Sequence, residues 1–271
     1  MTSQQTTVEG VAMRWEEVGE GATVVFIHGI PTSPALWRRV LPLVTGARCL
    51  AWEMVGYGRS IGEGAECDIS VARQAGYLHA WLDAIGVEKA VLVGHDLGGG
   101  VAQIAAVERP ERCAGLVLVN SIAYDSWPIP SVKAMRSAGA MVERIPAALF
   151  RPVFAGFLRL GHDDGSVARE SIAAHWAPYA DAGGPRGFVR QIRSLRTQDT
   201  LAVAGRLPTL RVPGRVVWGA ADQFQKVRFG ERLSQDLGVP LNRLEGARHF
   251  VPEDHPDAVA EAVAAVLGEP R

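Results

Sequence analysis

This 271-residue chain lacks several features that other classes of protein need. Its three cysteines, Cys49, Cys67 and Cys113, are widely spaced and include no CxxC pair. An odd, scattered set suits neither a disulfide framework nor a thiolate metal site. Lysine is scarce: Lys89, Lys133 and Lys226 are the whole set, and the net charge is −1. That balance offers no basic surface for nucleic acid or an anionic membrane. No apolar run reaches the ~18 residues of a membrane span. Met1 to Gly10 is polar, without the apolar stretch of a secretory signal, so a cytoplasmic location is expected. Internal repeats and low-complexity segments are also missing. What is present, 48% apolar and 21% charged residues, suits one large enzyme domain or one domain with an insertion.

Short apolar runs alternate with helical spacing. Val11 to Val18 and Thr23 to Ile27 read as strands, the second ending in the loop His28-Gly29-Ile30-Pro31-Thr32-Ser33. Pro34 to Leu41 has helical spacing, and Pro42 is expected to end it. Arg48 to Trp52 reads as a strand and Asp68 to Ile85 as an amphipathic helix, with Asp68 or Ser70 as its N-cap. Strand, helix and strand then follow at Val91–Gly94, Leu97–Glu108 and Gly115–Asn120. Beyond Ser121 the alternation stops, and helical pieces broken by Pro and Gly run to Leu201. Arg215–Trp218 and Leu241–Leu244 resume the strands, and Pro256–Leu267 is a last helix. The pattern predicts an α/β fold with a mostly parallel sheet and helices on both faces, built from residues 1–122 and 203–271. Residues 123–202 form an inserted helical cap over the carboxyl ends of the strands, where such sheets bind ligands.

The stretch Gly94-His95-Asp96-Leu97-Gly98-Gly99 joins strand to helix. Small residues flank a central Asp as they flank a nucleophile on a sharp elbow, where bulk would block the turn. The plain alternative is that Asp96 only caps the helix that follows. On this stretch alone the two readings are level. Two further loops tip the balance. Asp222 follows one late strand, and His249 follows the next. The chain order nucleophile, acid, histidine therefore places an attacking group, an orienting acid and a base at one sheet edge.

These residues resemble those of the α/β-hydrolases, and specifically of their aspartate-nucleophile branch, which holds haloalkane dehalogenases and epoxide hydrolases. The string HGIPTSPALWR, His28 to Arg38, is similar to the oxyanion loop of the dehalogenases. The resemblance implies a covalent ester on Asp96, formed by attack on a saturated carbon and hydrolysed by water that His249 activates. Asp222 would orient His249, and the backbone N–H groups of Ile30 and Leu97 would form the oxyanion hole. His28 and His95 would support the site. No metal or cofactor is implied, and the partner is a small apolar substrate.

Two departures concern the leaving group. Dehalogenases of this branch hold halide with a Trp after the nucleophile and often an Asn in the oxyanion loop; here those positions are Leu97 and Ile30. Epoxide hydrolases use two cap tyrosines, and this cap offers only Tyr124 and Tyr179. Trp127 and Trp176 carry indole N–H groups but are also ordinary packing residues. With Trp37 from the oxyanion loop, these five are the expected pocket residues. His175 is a further candidate acid, and Glu53 a brace for the oxyanion loop. The lost halide donors favour an epoxide slightly over an alkyl halide. An ester or lactone hydrolase, a non-covalent acid/base enzyme, and a ligand-binding protein on the same fold are the other readings.

Overall fold

The computed structural model describes residues 1–181 and 183–268. An eight-stranded sheet forms the centre, with strand order β1-β2-β4-β3-β5-β6-β7-β8. The strands are β1 (Thr2–Val8), β2 (Val11–Val18), β3 (Ala22–Ile27), β4 (Ala47–Trp52), β5 (Ala90–His95), β6 (Cys113–Val119), β7 (Gly214–Gly219) and β8 (Leu241–Leu244). The pairs β1–β2 and β2–β4 are antiparallel, and all other pairs are parallel. Val24 to Ile27 and Val91 to Val93 are almost wholly buried, which explains their continuous apolar runs: both faces of these central strands are covered.

Helices α1 (Val71–Ala84) and α2 (Leu97–Glu108) pack on each other beside the sheet. Ser70 caps α1, accepting the Arg73 N–H. Between β6 and β7 the chain runs through α3 (Pro130–Ser137), α4 (Gly139–Val142), α5 (Ala147–Gly161), α6 (Gly165–Asp181), α7 (Gly184–Arg193) and α8 (Gln198–Ala204). Of these, α8 packs against α1 and α2. Then come α9 (Val227–Leu237), α10 (Val251–Asp254) and α11 (Pro256–Gly268). Among the described residues no helix is long and apolar enough to cross a membrane.

One local expectation differs from what forms, and two elements were not predicted. The polar N-terminus is an edge strand, where exposed Thr and Gln side chains cost nothing because one edge faces water. Pro34 to Leu43 makes two short 3-10 turns, Pro34–Trp37 and Leu41–Leu43, because prolines punctuate the run. Helix α9 was not apparent in the sequence.

The inserted segment is tied down at both ends. Thr200 Oγ1 accepts from Trp127 Nε1 and donates to the Tyr124 carbonyl, both at 2.7 Å. Thr197 Oγ1 donates to the Trp127 carbonyl, so entry and exit of the insertion are stitched together. Farther out, Gln191 Nε2 donates to the Gly56 carbonyl at 2.9 Å.

Candidate active site

The carboxyl ends of β3, β5, β7 and β8 carry the site. Asp96 follows β5 with φ +51° and ψ −118°, a conformation that side chains avoid unless the surroundings enforce it. Two glycines make it possible. A Cβ on Gly98 would stand 2.0 Å from the Ile27 carbonyl oxygen, and one on Gly29 would stand 2.5 Å from Asp96 Oδ2. Asp96 precedes α2 but makes no side-chain capping bond, so a capping role does not account for it. Its Oδ2 accepts the Ile30 N–H at 3.1 Å, and the Leu97 N–H also bonds its carboxylate. Burial pushes the Asp96 pKa up to about 6, against the pull of His249 and these two amides.

His249 Nε2 lies 4.0 Å from Asp96 Oδ1, and its Nδ1 lies 2.8 Å from Asp222 Oδ2. Asp222 is surrounded by donors: Asn120 Nδ2 at 2.6 Å, Phe224 N at 2.7 Å and Gln225 N at 3.1 Å. Burial alone would lower the pKa of His249; the Asp222 charge and hydrogen bond overcome this and hold it above its ordinary value. A fixed Nδ1–H leaves Nε2 as the free base, facing Asp96. Asn120, unnoticed in the sequence, also accepts the Gly219 N–H and so joins the ends of β6 and β7. Its φ of +39° is the only trace of that role, and a sequence does not show it.

The two supporting histidines brace backbone. His95 Nε2 donates to the His249 carbonyl at 3.0 Å, and burial keeps it neutral. His28 Nδ1 donates to the Gly29 carbonyl while Nε2 accepts the Met54 N–H at 3.2 Å. Burial lowers its pKa to about 3, consistent with a neutral ring in that role. Glu53 braces a different turn from the expected one: it accepts from Arg59 N and Ser60 Oγ, not from the oxyanion loop.

Asp96 and His249 open on a cavity of about 30 Å³. Its wall is apolar: Ile30, Leu97, Ile122, Trp127, Phe157 and Phe224 among others. Of the five expected pocket residues only Trp127 lines it, and its N–H is spent on Thr200. Tyr124 turns away, its hydroxyl donating to Asp236 at 2.7 Å beneath the Arg232 guanidinium. The Tyr179 hydroxyl donates to Gln191, and Trp176 packs on Phe150, Phe154 and Tyr179 inside the cap. Trp37 is buried against Phe26. The expectation that these four line the pocket is therefore corrected: hydrogen bonds hold Tyr124 and Tyr179, and ring packing holds Trp176 and Trp37, away from the cavity. Gln225, not singled out in the sequence, does line the cavity.

His175 is also elsewhere. It joins a second buried cluster with Ser33, Arg38, His162, Glu253 and Asp254. Glu253 has no exposed side-chain surface and pairs with Arg38, with His162 at 3.2 Å and His175 at 3.5 Å. The cap is pinned here to the His249 loop, for Gly161 O accepts both the His249 and Phe250 N–H groups. Among the described residues no group of three or more His, Cys, Asp or Glu is arranged to hold a metal ion.

Known proteins resemble this chain along nearly its whole length. Residues 22–155 match the family model for the alpha/beta hydrolase fold. A haloalkane dehalogenase of Bradyrhizobium diazoefficiens is 27% identical, over 96% of this chain and 92% of the relative. Among solved structures, an alpha/beta hydrolase fold protein from Burkholderia ambifaria superposes with a TM-score of 0.88 at 26% identity, covering 96% of both chains. The epoxide hydrolase CorEH shares the fold, with a TM-score of 0.80 at 23% identity over 98% of both.

Proposed function

The chain is an α/β-hydrolase of the haloalkane dehalogenase and epoxide hydrolase type, and from that premise we propose that Asp96 attacks a saturated carbon of a small apolar substrate to form a covalent ester. The observation that carries this is the placement of the two carboxylate oxygens. Oδ2 accepts the Ile30 amide, whereas Oδ1 lies on the His249 side. Oδ1 is then the attacking atom. Oδ2 becomes the ester carbonyl and takes the negative charge when water adds to it. His249 removes a proton from that water, Asp222 steadies the resulting imidazolium, and the alcohol leaves. A serine in place of Asp96 would leave an ether, which this machinery cannot cleave.

The leaving-group preference shifts from the epoxide toward the alkyl halide. An epoxide oxygen needs a proton as it leaves, and both cap tyrosines are committed elsewhere. A halide leaves without one. The activity named for the relative from Bradyrhizobium diazoefficiens points the same way. Intact mass spectrometry of the His249→Gln variant, incubated with pooled bromoalkanes, epoxides, esters and lactones, tests the reading. A stable adduct is expected, lost in the Asp96→Asn/His249→Gln double variant. An adduct that survives in the double variant would overturn it.

A further inference from the structure

The cavity has one polar group that the triad does not use. Gln225 is 3% exposed, and among the described residues its side-chain amide makes no hydrogen bond; its Oε1 is buried without a partner. The backbone beneath it is fixed, since Gln225 N donates to Asp222 Oδ1 and Gln225 O accepts from Trp218 Nε1 at 2.9 Å. An unpaired buried amide costs ~1–3 kcal/mol, so its retention calls for an explanation. With His249 neutral, every other donor at the cavity is committed: the Ile30 and Leu97 amides to Asp96, the Trp127 indole to Thr200, and His249 Nδ1 to Asp222. The remaining wall cannot hydrogen-bond.

We propose that the Gln225 side-chain amide is the leaving-group ligand of this site and that the leaving group is a halide. The inference rests on the Asp96 ester proposed above. As Asp96 Oδ1 bonds to carbon, the carbon–halogen bond breaks and its electron pair stays on the halide, which accepts the Gln225 Nε2–H. Water then adds to the ester carbonyl: its oxygen replaces Oδ1 in the Asp96 carboxylate, Oδ1 leaves in the alcohol, one water proton goes to that alcohol and the other is released through His249, so the step balances without another reactant. An amide N–H stabilises an anion but cannot protonate an alkoxide, and this selects halide over epoxide. Leu97 and Ile30 bring no side-chain donor, and Gln225 supplies one from the loop after β7.

The test measures ester formation by intact mass over time in the His249→Gln background, with 1-chlorobutane, 1-bromobutane, 1-iodobutane and 1,2-epoxybutane as probes. Gln225→Met keeps the length and removes the amide; its melting temperature reports folding. The expected result is ester from the haloalkanes, slowed by Gln225→Met by about ten- to a hundredfold for chloride and progressively less for bromide and iodide, which need less help to leave. Sodium bromide should also inhibit ester formation less in Gln225→Met. Equal slowing with all three halides, or none, overturns the role of Gln225 while the Asp96 ester stands. Ester from the epoxide but from no haloalkane overturns the halide. No ester from any probe removes the Asp96 reading and this inference with it.

Discussion

Two histidine–carboxylate clusters lie back to back on the loop from His249 to Asp254, and they differ in one respect that decides their roles. In the first, His249 lies between Asp222 and Asp96, and a cavity reaches two of the three. In the second, His162 and His175 flank Glu253, with Arg38 and Asp254 completing the charge balance; a separate open cleft touches Ser33 and Arg38 at its edge, but neither cavity reaches these histidines or carboxylates. Both set buried histidine against buried carboxylate. The first keeps an uncompensated carboxylate in a strained turn beside empty space, where it can react. The second spends its charges on one another and on holding the cap to the histidine loop. Burial and a perturbed pKa therefore do not identify chemistry by themselves; access does.

The strongest way to separate the clusters is to remove one carboxylate from each. Asp96→Asn should lower turnover by about 10⁴-fold or more, measured with whichever probe forms the ester. The same change should raise the melting temperature, because the charge is buried at a cost: its folded pKa, about 6, stands above the ordinary 3.8. Glu253→Gln should do the reverse. Removing one partner of a buried ion pair costs ~3–5 kcal/mol, read as a lower midpoint in urea. The rate of ester formation per folded molecule should change far less. A Glu253→Gln protein of unchanged stability would sink the structural reading of the second cluster.

The pH response should separate them next. Asp96 attacks only as the carboxylate, so ester formation should rise with pH through about 6 and then level off. Hydrolysis needs His249 neutral, and its pKa is held above the ordinary imidazole value. Between these pH values the ester should accumulate, seen as a burst followed by a slower steady rate. His162 behaves differently. Burial opposes its charge, but Asp254 and Glu253 raise its pKa to about 9. Since the folded value lies above the unfolded one, the stability it contributes is complete below ~6.5 and is lost as pH rises through about 9. Unfolding midpoints that do not fall across that upper range would contradict the ion-paired His162.

The sequence shows these two regions unequally. Asp96, Asp222 and His249 stand at strand ends, where position along the chain fixes position in space, and the glycines around Asp96 mark the turn. Tyr124, Tyr179, Trp176 and Trp37 could not be placed the same way. Which side of a helix or turn faces the cavity depends on neighbours such as Asp236, Gln191 and Phe150, far away in sequence. Gln225 escaped notice because a polar residue in a loop looks solvated. Its one signal was its place three residues after Asp222, in a loop that an acid of the triad must anchor. The second cluster was invisible for a related reason: its members come from the turn around Pro34–Trp37, the loop after α5, the cap helix α6 and the short helix α10, with no spacing to link them.

The smallest effect concerns the size of the cavity. At about 30 Å³ it holds little more than a water molecule, so a substrate must displace the wall. The triad side of that wall is tied to strands, whereas Phe157 belongs to α5 and touches Phe224 in a stacked pair with centroids 4.7 Å apart. Phe157 is only half-buried, so Phe157→Ala should cost less than the ~3–5 kcal/mol of a fully buried Phe. It should also speed ester formation by several-fold with branched or longer bromoalkanes and hardly at all with bromoethane. Equal rates across that size series would mean that the cap moves as a unit and that no single side chain limits entry. A size-dependent gain would assign the limit to the Phe157–Phe224 contact, and place selection by size on the cap and selection by leaving group on the strand-end loop.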